Sequence, residues 1–200
     1  MASLPPVNPQ APSRVEPRAV DKQNAPGGVP EAVRYMLLSW AVMIAGEFLH
    51  QILVVTAAVL DPAPLREQAK EQAKAAGEQA SDAMLNVSVY GAIAVMALIQ
   101  LVFILLLALA LRAIKQQKSW AANARRLLQV FGVFFGVRVL TLFMLSPAAT
   151  SLPVAFYAFD GIIQIILGVA GVMGIVYSAD KASVEWTESN DRPKANRKEQ

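Results

Sequence analysis

Apolar residues gather in four long runs, 35–60, 84–111, 127–145 and 154–177, and polar residues fill the stretches between them. A helix rises 1.5 Å per residue, so about 20 apolar residues cross roughly 30 Å of hydrocarbon. All four runs meet that length, the third at its short end. The pattern predicts an all-α integral membrane protein: a four-helix transmembrane bundle over 34–177, with spans at about 35–60, 84–111, 127–145 and 154–177. No span contains proline.

Capping residues mark the boundaries. Pro30-Glu31 suits a helix start, where proline fits the first turn and the dipole favours an acid. Asp61-Pro62 closes the first run and opens another helix. Residues 65–80 are rich in Ala, Glu, Gln and Lys, with Ala69, Ala73, Ala76 and Ala80 at helical spacing. This predicts a short polar extracytoplasmic helix between spans 1 and 2. Ser81-Asp82 caps span 2, and Pro153 starts span 4. Tyr35 and Trp40 stand toward one end of span 1, as interfacial aromatics do.

The two ends read differently. Residues 1–33 hold seven of the twelve prolines and too little apolar surface to fold, so a disordered Pro-rich cytoplasmic tail is expected. The segment has no apolar core of a signal peptide. Residues 178–200 are polar and mixed in charge, and a second disordered cytoplasmic tail is expected there.

Composition adds two constraints. The chain is 55% hydrophobic with a formal net charge of +3, a poor match to a nucleic-acid partner. It has no cysteine, which excludes disulfides and thiol chemistry. No catalytic, cofactor or metal motif stands out, so a non-enzymatic role is expected.

Basic residues set the orientation. The N-terminal tail to Arg34 carries four, the loop at 112–126 five and the C-terminal tail five, against three in the first loop and none in the loop before Pro153. The positive-inside rule then places both termini and the central loop of this multi-pass chain in the cytoplasm. Arg112, Lys115, Lys118, Arg125 and Arg126 are candidates to contact anionic lipid.

Against this apolar background the polar residues inside the spans stand out. Glu47, Gln100, Arg138 and Gln164 lie 12, 12, 11 and 13 residues from the cytoplasmic edges of their spans, a common depth of about 17–20 Å. Glu47, His50, Gln51 and Val54 share one helical stripe, and Asp160, Gln164, Gly168 and Gly171 another. The expectation is a polar network of Glu47, His50, Gln100, Arg138, Asp160 and Gln164 facing the bundle interior, with Glu47 paired to Arg138. Such a layer can be a structural lock that fixes helix register, a ligand or partner contact, or a proton or ion path in which His50 titrates. Glu47-x-x-His50 is also half of a di-iron bundle motif, but that site needs a second pair and the chain has one histidine. Gly132, Gly136, Gly168 and Gly171 offer smooth faces for close helix packing.

Three short stretches carry a family likeness: Pro30-Glu31-Ala32-Val33-Arg34 before span 1, Asp61-Pro62-Ala63-Pro64-Leu65-Arg66-Glu67-Gln68 opening the polar helix, and Lys118-Ser119-Trp120-Ala121 before span 3. Over about 30–185 the chain resembles a group of small four-span actinobacterial membrane proteins, which implies a bacterial plasma (inner) membrane. The segment after span 4, around Ser178 to Trp186, departs from the proline and aromatic ending common in that group. The resemblance implies no catalytic residues, and some proteins of this kind resemble accessory subunits of respiratory supercomplexes. The leading expectation is an accessory or scaffolding subunit of a larger integral membrane complex. The other is a small homo-oligomeric transporter or channel-like protein using the polar layer.

Overall fold

The computed structural model describes residues 28–79, 81–144 and 152–189. Among them the chain is all helical: α1 Glu31–Leu60, α2 Ala63–Ala75, α3 Asp82–Lys115, α4 Ala121–Leu142, α5 Val154–Ser178 and α6 Lys181–Glu188. The N-terminal tail to 27, the end of the third apolar run with its following loop, and the chain from 190 lie outside the described residues.

Three helices, α1, α3 and α5, are long and apolar enough to cross a membrane, which is consistent with a membrane protein. α4 has 22 residues and takes in Arg125, Arg126 and Arg138. It begins six residues before the expected third span, because Ala121 to Arg126 continue the helix.

The four long helices neighbour one another in the cyclic order α1, α5, α4, α3. α1 and α5 share the most extensive contact. Glycines explain how closely they approach. A Cβ at Gly46 of α1 would stand 2.8 Å from the Leu167 Cβ of α5. On the α4–α5 seam, Gly132 would place a Cβ 2.9 Å from the Gly171 carbonyl, and Gly136 one 3.0 Å from Val172. A Cβ at Gly168 would overlap Val139. Each added methyl would push the helices apart, which is how small residues bring helix backbones together.

α3 is the least enclosed of the four. Leu85, Val89, Ile104 and Leu107 turn inward, while Val87, Val95, Met96, Leu98, Ile99 and Leu105 are exposed. In water such a surface would be unfavourable at about 25 cal/mol per Å²; against lipid it costs nothing.

Two features go beyond the sequence pattern. Trp40 turns inward: it is fully buried, with Met36 and Met43 beside it in the core. Gly174 opens the space it occupies, since a Cβ there would overlap the indole. The segment after Ser178 is not all tail. Asp180 caps α6 by accepting from the Ala182 N–H at 2.8 Å, and Trp186 packs against the core while its indole N–H donates to the Ile114 carbonyl at 3.1 Å. One aromatic and a good cap outweigh the polar composition of this segment.

Candidate functional site

The polar groups of α1, α4 and α5 meet in one connected network. α1 turns Glu47 and His50 inward, 4% and 7% exposed, because residues three apart share a helix face. Glu47 accepts at both carboxylate oxygens: from Arg138 Nη1 of α4 at 3.0 Å and from Gln51 Nε2 of its own helix at 2.6 Å. Arg138 turns its Nε to Gln164 Oε1 of α5 at 3.1 Å, and its guanidinium carbon lies 5.9 Å from the Phe135 ring centre.

The chain of bonds continues along α5. Gln164 Nε2 donates to Asp160 Oδ2 at 2.7 Å, and the other oxygen, Oδ1, meets His50 Nδ1 at 2.5 Å. Both oxygens of both carboxylates are therefore engaged inside the bundle. Glu47 and Arg138 cancel in charge.

This geometry suits holding helices together. A buried charge that loses its partner is costly, whereas a fully bonded pair fixes register. The pair links α1 to α4, Arg138–Gln164 links α4 to α5, and His50–Asp160 links α1 to α5. Gln51, which sequence reasoning placed only on the stripe, is a direct partner of Glu47; its i,i+4 spacing is the signal.

Gln100 does not join. Among the described residues it makes no hydrogen bond with the network. It lines, with Gln51, Val54, Val55, Met96 and Ala97, a groove of about 310 Å³ between α1 and α3. Equal depth was the sequence signal for Gln100, but depth says nothing of the rotational position that turned it away.

The basic loop also divides. Arg112, Lys115, Lys118 and Arg126 are exposed. Arg125 is not a lipid contact: it is 8% exposed, donates from Nη1 to the Ser178 carbonyl at 2.9 Å, and places Nη2 3.6 Å from Glu188 Oε1 of α6. Burial lowers its pKa, and Glu188 opposes that shift; arginine stays charged regardless. Gln129 completes this second cluster by donating to Ser178 Oγ at 2.8 Å.

Among the described residues, no group of three or more acidic or histidine side chains is placed to hold a metal ion. No family model matches the chain, and no curated protein or solved structure does.

Proposed function

We propose that this chain is a non-enzymatic four-span protein of a bacterial plasma membrane, with both termini cytoplasmic, serving as an accessory or scaffolding subunit of a larger membrane complex. α4 supplies the fourth span. Arg125 and Arg126 stand at its start, and Arg138 is neutralised by Glu47, so the rest of the helix offers an apolar surface. α2, none of whose residues is buried, is the extracytoplasmic helix.

The observation that carries the proposal is the closure of the network. Both carboxylates spend all their oxygens on internal partners, as a structural lock requires and an open conduction path does not. The broad exposed face of α3 supports docking to other membrane helices, and the family likeness makes a respiratory assembly the first to test. Affinity purification of the tagged chain from its native membrane in mild detergent should bring down a larger membrane complex in stoichiometric amount. Recovery of the chain alone, or of a clean homo-oligomer, contradicts the reading.

One observation favours a second reading, a small oligomeric transporter. The His50–Asp160 edge is less enclosed than Glu47, with side chains 9% and 15% exposed against 6%. Flux through reconstituted vesicles that disappears in both His50→Gln and Asp160→Asn would support it.

A further inference from the structure

On the α2 side, the half-buried Arg66 and Lys70 pair with Asp82 at 2.9 Å and Glu67 at 2.8 Å, and the exposed Lys74 has no ion pair among the described residues. At the opposite end of the bundle, where α1 begins and α3 ends, Arg34 and Lys115 are exposed and have no ion pair among the described residues. These two cations share a groove of about 450 Å³ whose other walls include Tyr35, Leu37, Leu38 and Trp186.

α6 builds one wall of that groove. Trp186 is held there at two points: its indole N–H donates to the Ile114 carbonyl at 3.1 Å, and its own carbonyl accepts from Gln117 Nε2 at 3.4 Å. Two acids stand near the site. Glu185, beside Trp186, lies 3.9 Å from Lys181, and Glu31, one turn before Arg34 on α1, is engaged with the Tyr35 hydroxyl; neither forms an ion pair with Arg34 or Lys115 among the described residues.

We propose that this groove binds one anionic phospholipid, with the headgroup phosphate between Arg34 and Lys115 and an acyl chain along Leu37 and Leu38. This goes beyond the accessory role and rests on the membrane-spanning reading. Charge complementarity supplies the headgroup site. The apolar floor decides in favour of a lipid over a soluble phosphate, because a free phosphate would leave Leu37, Leu38 and Tyr35 without a partner. The aromatic pair fits as well, since tyrosine and tryptophan favour the headgroup level. The site departs from diffuse attraction by a basic loop in needing α1, α3 and α6 together.

The test is native mass spectrometry of the full chain taken from vesicles of mixed phosphatidylglycerol and phosphatidylcholine. The wild type should retain one phosphatidylglycerol in preference to phosphatidylcholine. Arg34→Gln with Lys115→Gln should lower that retention by about tenfold or more, in line with the contribution of two cations near an anionic surface. Arg112→Gln with Lys118→Gln removes the same charge from the diffuse basic loop outside the groove and should lower retention several-fold less. All four side chains are exposed, so folding is not at stake. Equal loss in both variants, or no preference in the wild type, would overturn the site. Displacement by millimolar inorganic phosphate would make it a free-anion site and also overturn it. If alkaline carbonate strips the chain from membranes, the spanning reading fails, and this proposal with it.

Discussion

The indole of Trp40 on α1 lies directly against the backbone of Gly174 on α5, where a Cβ would overlap it. Trp40 is fully buried and Gly174 is buried with it. Glycine at 174 is thus part of the Trp40 site, and the two residues fix how closely α1 and α5 approach at this end.

Gly174→Leu should therefore destabilise the bundle by about 1–3 kcal/mol or more through overpacking. Gly91 is the control. It lies in α3 with open space around a Cβ, so Gly91→Ala should be neutral or stabilise by up to about 1 kcal/mol through helix propensity. Thermal unfolding of both variants in mild detergent checks the contrast.

Arg125 ties α6 to the bundle through the Ser178 carbonyl and Glu188. Arg125→Ala should cost about 1–3 kcal/mol, because a buried acceptor loses its donor. Trp186→Ala should loosen α6 locally while leaving the α1–α5 seam closed. Amide hydrogen exchange should rise across Lys181–Glu188 in both variants and remain low in the middle of α1 and α5.

α2 offers a pH effect with a defined sign. The hydrogen bond and charge of Lys70 lower the Glu67 pKa below 4.5. A carboxylate with a depressed folded pKa contributes stability that is complete above the ordinary value and lost as pH falls through the depressed one. Helicity of α2 should thus decline below about pH 4.5, and Glu67→Gln should lack that part of the decline. Backbone chemical shifts of Ala63–Ala75 across the titration provide the measurement.

Much of the interior was legible from spacing. Glu47, His50, Asp160 and Gln164 stand out because an apolar helix makes every polar residue conspicuous, and the 3.6-residue repeat says which share a face. The Glu47–Arg138 pair follows from depth alone, since a lone charge in an apolar setting requires a partner. Depth misled for Gln100, which sits at the same level but faces the α1–α3 groove. The burial of Trp40 was not legible, because the room made by Gly174 on a distant helix is invisible along the chain. α6 was hidden by its length, eight residues with Ser183 and Thr187 turned inward. Its only local signals were Asp180 at the cap and Trp186 in a polar tail. Arg125 looked like one more cation in a basic loop until α6 supplied Glu188.

The central claim is that Glu47 and Arg138 lock α1 to α4 inside the bundle. A double-mutant cycle in bicelles, measured by reversible unfolding, addresses it most directly. Arg138→Ala should destabilise strongly, by about 3–5 kcal/mol, because it leaves the buried Glu47 carboxylate without its ion partner, and Glu47→Ala should cost less, because Arg138 is partly exposed and keeps Gln164. The double variant should recover part of that loss, with a coupling of about 1–3 kcal/mol. Strictly additive losses would contradict the lock.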